Sequence, residues 1–144
     1  MSTQSQTQHA TAGLPLAAQW QALKQAESNL RIRDAAQKLG VSEAELLATS
    51  CGSTVTRLQG DWTDVLTRVP ALGRVMALTR NEQCVHERKG IYNDPSFQGH
   101  MGLVLGDDID LRLFMGQWAS GFAVQEPFAE GIRRSLHFFD ASGE

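Results

Sequence analysis

This sequence of 144 residues has no long apolar run, only two cysteines and a small net charge. No stretch approaches the ~18 consecutive apolar residues that a membrane-spanning helix requires, so we expect no membrane insertion. The formal net charge of -3 excludes a globally basic surface that would attract nucleic acid, and we expect no nucleic-acid partner. Hydrophobic residues nevertheless make up 42% of the chain, which is enough for a globular domain with a core.

The two cysteines and the first residues of the chain indicate its compartment. Cys51 and Cys84 form no C-x-x-C pair and no zinc spacing, and we interpret them as two small buried hydrophobic residues kept reduced. Residues 1–13 are small and polar, without the basic start and apolar middle of a secretory signal. We therefore predict a disordered lead-in over 1–13, one folded domain over 14–144, and a cytoplasmic location.

Catalytic motifs are absent as well. The histidines show no H-x-x-x-H or H-E-x-x-H spacing: they are His9, His86, His100 and His137. The sequence contains no G-x-S-x-G, no Walker loop and no G-x-G-x-x-G. Hydrolase and nucleotide-binding functions have no motif here, and we assign no catalytic residue.

The hydrophobic pattern predicts helices first and strands later. Helices are expected from Leu16 through Leu23, from Ile32 to Leu39 before Gly40, after the S-x-x-E capping box of Ser42 and Glu45, and around Trp62 to Leu66. From Val75 the period changes to two, with strands at 75–80, 83–89, 103–105, 109–115, 118–124 and 132–139. The fold class is α+β, an antiparallel sheet meander with an N-terminal helical cluster packed on it.

The last predicted strand has no successor in the sequence. A turn-like segment at 140–143 follows it, and the sequence given ends at Glu144. We therefore expect an exposed sheet edge at Arg133–Phe139, and a homodimer formed by pairing of such edges.

The two short helices around Gly40 suggest a helix-turn-helix, and hence DNA binding, as one alternative. The second helix would expose Ser42, Glu43, Glu45 and Thr49. Its two carboxylates would face a polyanion without an adjacent Arg or Lys, so packing is the favoured role.

Three cations and one imidazole are the candidate binding residues. On the strand 83–89, Cys84, His86 and Arg88 share one face, while Lys89 follows directly. Neutral imidazole ligates haem iron, and Arg or Lys suits a carboxylate, but a lone strand histidine is more often a surface residue. Arg112 suits either an ion pair with Asp110 or a carboxylate ligand.

Four segments carry a resemblance to a known family: LRIRDAAQKLGVSEAEL, MALTRNEQCVHERKGIY, GLVLGDDIDLRLFMGQWASGF and RRSLHFFDASGE. From Leu16 onward the chain resembles the N-terminal half of HemS/HmuS-type haemin transport and degrading proteins of the HemS/ChuX-like family. The resemblance implies a haemin-handling domain that stops before the family's last strand and helix.

The resemblance also implies roles for individual residues. His86 resembles the iron ligand of the N-terminal half, with Arg88 and Lys89 as propionate partners. Arg112 resembles the arginine that approaches a propionate of haem held mainly by the second half, whose own axial histidine has no counterpart here. Single-half relatives bind haem, usually as dimers.

The implied function is cytoplasmic haem binding and trafficking in bacterial iron acquisition, with haem b as cofactor. A haem oxygenase and an inner-membrane haem transporter are the implied protein partners. The alternative is a haem-degrading enzyme that takes its electrons from an external donor, because no redox partner is encoded in the sequence.

Overall fold

The computed structural model describes residues 13–59 and 61–144. The predicted lead-in over 1–13 lies outside these residues, apart from Gly13. Within these ranges the chain forms four α-helices: α1 Leu16–Ala26, α2 Ile32–Leu39, α3 Glu43–Ala48 and α4 Trp62–Arg68. The same ranges contain eight strands: β1 Val55–Arg57, β2 Arg74–Arg80, β3 Val85–Ile91, β4 Ser96–Gln98, β5 Met101–Leu105, β6 Asp110–Phe114, β7 Trp118–Phe128 and β8 Gly131–Asp140. No helix in the described ranges is long and apolar enough to cross a membrane.

The strands form three antiparallel pieces, in the orders β1-β7-β8, β2-β3 and β4-β5-β6. The predicted helices and the later strands are confirmed, and the fold is α+β as expected. The sequence missed β1 and β4, which are three residues long each. Such short strands carry no local period, and β1 exists because Val55–Arg57 pairs with the distant β7.

The chain contains two compact units. The first unit contains residues 13–58 and Ala119–Glu144, and the second contains Gln59–Trp118. The chain leaves the first unit after β1 and returns to it with β7, so the second unit is an insertion between paired strands.

In the first unit the helical cluster packs on the sheet, as predicted. Trp20, Ala35, Ala36 and Leu46 join α1, α2 and α3 in one apolar cluster. A second cluster joins α3 to the strands through Leu47, Val55, Phe122, Val124 and Phe139. Burial of these side chains removes apolar surface from water and is the main stabilising term for this unit.

The predicted capping box begins α3. The Ser42 hydroxyl accepts a hydrogen bond from Glu45 N at 3.1 Å, and a Glu45 carboxylate oxygen accepts one from Ser42 N at 2.7 Å. These contacts satisfy two N–H groups that a helix start leaves without partners. They also hold the pKa of Glu45 below its usual value of 4.5.

Ser42→Ala should destabilise the chain by about 1 kcal/mol in urea unfolding, since it removes the side-chain cap. The matched control is Ser96→Ala in the exposed strand β4, which should change little. Because folding lowers the pKa of Glu45, the carboxylate of the capping box stabilises the folded state fully above pH 4.5. This stabilisation is lost as the pH falls through the folded-state pKa. The difference between Ser42→Ala and the parent should therefore shrink at acid pH; a constant difference would contradict this account.

Two expectations about exposure are wrong. Glu43 was expected on the exposed face of α3 but is only 9% exposed. The reason is that the C-terminal turn packs on the start of this helix, where Ala44 N donates to Gly143 O. Cys51 and Cys84 were expected to be buried, yet both are exposed and free. Cys51 forms an isolated bridge beside β1 and Cys84 closes the β2–β3 turn, positions that local sequence does not place in the core.

Candidate functional site

The β2–β3 hairpin positions His86 and its neighbours in the second unit. Asn81 makes the turn, because its side-chain oxygen accepts hydrogen bonds from Gln83 N at 2.9 Å and Cys84 N at 2.8 Å. The register places His86 opposite Thr79 and Arg88 opposite Ala77. The period of two puts His86 and Arg88 on one hairpin face, as the sequence predicted.

One end of that face packs against the β4-β5-β6 sheet, and the other end is exposed to solvent. Ala77 is buried in a cluster with Val104 and Ile109. Next to it, His86 and Thr79 are both exposed. The imidazole of His86 has no hydrogen bond or ion pair with any residue of 13–59 or 61–144, and its nitrogens are therefore available to a ligand from solvent.

Arg88 lies between the buried end and His86. Its Nε donates to the Asp108 carbonyl oxygen at 3.0 Å, and its Nη2 donates to Asp108 Oδ1 at 2.8 Å. This ion pair is about half exposed, at 54% for Arg88 and 49% for Asp108, so its own contribution to stability is small. Its effect is geometric, because two contacts fix the direction of the guanidinium while further N–H donors stay available.

Gly90 allows this arrangement. A Cβ at this position would lie 2.7 Å from Asp108 Cβ and 3.2 Å from Ile109 Cγ1. The turn that carries Asp108 can therefore approach β3 only because residue 90 has no side chain.

Gly90→Ala should lower the free energy of unfolding by about 1–3 kcal/mol, because β3 and the 107–109 turn must separate to admit the methyl group. Urea unfolding measures the effect. Gly13→Ala is the matched control, since a Cβ there meets nothing within 4 Å. Equal unfolding midpoints for the two variants would show that the close approach is unimportant.

Lys89 belongs to the opposite hairpin face. It pairs with Met76, which is 49% exposed, and shares that face with further exposed apolar side chains: Leu78, Val85 and Ile91. His86 and Arg88 therefore share one hairpin face, and Lys89 starts from the other. Arg88 and Lys89 nevertheless both line an open cleft of about 350 Å³, together with Arg74, Met76, Glu87 and Asp108.

Arg112 is separated from His86 by a sheet. It pairs with Leu103 in β5 and is exposed, whereas its neighbours Leu111 and Leu113 pack towards the cluster of Ala77. Arg112 thus lies on the outer face of β4-β5-β6, and the hairpin packs on the inner face. The ion pair with Asp110 that the sequence left open does not form between these described residues.

The outer face around Arg112 is apolar and exposed. Met101 is 42% exposed, Leu105 59% and Phe114 56%. The register places these side chains on the same face as Arg112, since Met101 pairs with Phe114 and Leu105 with Asp110. Sequence reasoning found Arg112 but not this surface, which requires the pairing of β5 with β6.

Comparison with known proteins gives the family. Residues 40–144 match the family model described as the haemin-degrading HemS.ChuX domain. This chain belongs to the HemS/ChuX family. It is 43% identical over 113 residues to the hemin transport protein HemS of Yersinia enterocolitica, a match that covers 78% of this chain and 33% of that protein. The chain therefore spans about one third of the length of this relative.

Solved structures of the HemS/ChuX family have the same fold. The structure of holo-PhuS, a heme-binding protein from Pseudomonas aeruginosa, matches with a TM-score of 0.84 and 49% identity over 89% of this chain and 38% of that one. ChuS, described as an E. coli heme oxygenase, matches with a TM-score of 0.80 and 37% identity over 90% of this chain and 38% of that one. None of these likenesses is to a DNA-binding protein, so the helix-turn-helix alternative gains no support, and α2 and α3 serve as a packing unit.

Proposed function

We propose that this HemS/ChuX chain binds haem b and that His86 ligates the iron. The observation that carries the proposal is the exposed imidazole of His86, which has no partner among the described residues and shares a strand face with a fixed guanidinium. Haem iron takes a neutral imidazole nitrogen as an axial ligand, and an imidazole already engaged by a protein group would have to be released first.

Arg88 supports this assignment as the propionate partner. Asp108 fixes its guanidinium two residues along the strand from His86, and propionates form charge-assisted hydrogen bonds with such a group. Lys89 starts from the opposite hairpin face, although it lines the same cleft as Arg88, and no contact fixes its direction as Asp108 fixes that of Arg88; we therefore give it the lesser role.

We assign Arg112 to a second contact. Its outer sheet face offers exposed apolar side chains beside one cation and the Asp110 carboxylate, and a flat apolar ligand would pack there with a carboxylate towards Arg112. Because the sheet lies between Arg112 and His86, one haem would not contact both. Arg112 would approach haem held by the second half that the family resemblance implies.

The proposed setting is cytoplasmic haem trafficking in bacterial iron acquisition. Two exposed free cysteines fit a reducing compartment. A haem oxygenase and an inner-membrane haem transporter are the proposed exchange partners. Homodimerisation would use β8, which in the described chain pairs with β7 alone and leaves its other edge available.

Absorption titration with haemin tests the proposal. A Soret band that saturates at one haem per chain and depends on His86 is the expected result. Iron ligation by this chain would be rejected if the Soret maximum stays where it is in free haemin, or if the titration does not saturate.

Haem degradation is a second candidate, favoured by the likeness to ChuS and by the family description. In the presence of oxygen, the haem-loaded chain would then lose its Soret band when an external electron donor is supplied, with release of iron. A Soret band that is stable to the donor while haem stays bound would leave binding as the function.

A further inference from the structure

The β2–β3 hairpin has an outer face, opposite to the face that carries His86. The cross-strand register assigns eight residues to it in four pairs: Arg74 with Ile91, Met76 with Lys89, Leu78 with Glu87, and Arg80 with Val85. Four of the eight are large apolar side chains, and each is about half exposed: Met76 49%, Leu78 47%, Val85 57% and Ile91 47%. Exposed apolar surface of this kind is typical of a contact with another molecule.

Charged side chains alternate with the apolar ones on this outer face. Glu87 and Lys89 are two residues apart on β3, and both are exposed. Neither side chain makes an ion pair or a hydrogen bond with any residue of 13–59 or 61–144. Their charges are therefore available to a partner that presents the opposite signs in the opposite order.

A second copy of the same hairpin meets this requirement. Two copies can stack face to face about a two-fold axis that crosses the strands midway between Met76 and Leu78. Each strand then lies over its own counterpart and runs in the opposite direction. In this arrangement the register places Glu87 of each copy opposite Lys89 of the other, and Met76 opposite Leu78.

The outer ends of the hairpin fit the same axis. Ile91 of one copy comes opposite Val85 of the other, which extends the apolar contact. Arg74 comes opposite Arg80, but these long side chains lie at the rim, where water and salt screen like charges. A two-fold axis along the strands would instead set every apolar side chain against a charged one. The register therefore favours the axis that crosses the strands.

The size of the hairpin limits the strength of this contact. Each strand has seven residues. Two such strands side by side cover roughly 24 Å by 10 Å. That is far less than the roughly 800 Å² per partner of a standard stable interface. We therefore expect a weak, reversible dimer, with a dissociation constant on the order of 100 µM.

We propose that the chain self-associates through the outer face of the β2–β3 hairpin, as a two-fold dimer in which Glu87 and Lys89 pair across the interface. This contact is separate from the β8 edge, because the hairpin and β8 belong to different units. It leaves the His86 face of the hairpin uncovered and does not depend on haem binding. The test below therefore uses the whole chain without haem.

The experiment is sedimentation velocity of the chain over concentrations that bracket the expected dissociation constant. The sedimentation coefficient of the parent should rise with concentration. Leu78→Asp should weaken association about tenfold or more, because it buries a carboxylate against Met76 of the other copy. Leu105→Asp is the matched control and should leave association unchanged, since Leu105 is 59% exposed but belongs to the β4-β5-β6 sheet.

Charge reversal tests the pairing itself. Glu87→Lys and Lys89→Glu should each weaken association about tenfold, because like charges then face each other twice in every dimer. The double variant Glu87→Lys/Lys89→Glu restores opposite charges across the axis and should associate as the parent does.

Four outcomes would overturn the proposal. A parent that stays monomeric over the whole range would leave this face to a partner of different sequence. Equal association of Leu78→Asp and Leu105→Asp would assign self-association to another surface, such as the β8 edge. Opposite effects of Glu87→Lys and Lys89→Glu would indicate diffuse attraction between charged surfaces. A double variant that associates no better than the single ones would exclude the pairing across the axis.

Discussion

His86→Ala should shift the Soret maximum of the haem-loaded chain and raise the haem dissociation rate by on the order of 10–100-fold, since changes behind a metal-ligating histidine already have effects of that size. Binding should weaken rather than vanish, because contact between the porphyrin and apolar protein surface does not depend on the iron ligand. Stopped-flow transfer of haem to an excess of a scavenging apoprotein measures the rate.

Two controls separate ligand loss from damage to the fold. His100→Ala removes an exposed imidazole of the same unit and should leave the spectrum and the rate unchanged, as should His137→Ala in the other unit. Added imidazole should restore the parent spectrum of His86→Ala by occupying the vacated position on the iron. An unchanged spectrum and rate in His86→Ala would refute the assignment and would leave the exposed thiol of Cys84, which closes the turn before β3, as the next candidate ligand.

Arg88→Ala should weaken haemin binding about fivefold to tenfold, equivalent to roughly 1–1.4 kcal/mol for a charge-assisted contact at a half-exposed site. The same variant should bind haemin dimethyl ester as the parent does, because the ester has no propionate charge for Arg88 to meet. The difference between the two ligands isolates the propionate contact from any general loss of affinity.

Lys89→Ala is the matched control for Arg88→Ala. It removes an adjacent cation from the opposite hairpin face and should affect both ligands by less than twofold. Arg112→Ala should also change little for haem at His86, because the β4-β5-β6 sheet separates the two residues. Equal losses for Arg88→Ala and Lys89→Ala would indicate diffuse charge attraction in place of a directed contact.

Local interactions were predictable from the sequence. The capping box of Ser42 and Glu45, the stop at Gly40 and the turn at Asn81 involve residues that are close in the chain, so their chemistry determines the backbone there. The period of two likewise placed His86 and Arg88 on one strand face before any tertiary contact was known. The family resemblance rested on the same segments and is confirmed.

Tertiary structure decided which of these residues meet. Asp108 reaches Arg88 only because Gly90 leaves space for a turn nearly twenty positions along the chain. Pairing of β5 with β6 placed Arg112 on the far side of a sheet from His86, a separation that the sequence alone does not show. Burial of Glu43 and the pairing of β1 with β7 depend on the C-terminal part of the chain. Such contacts arise from packing between distant segments, and a local pattern carries no information about which segment will cover which face.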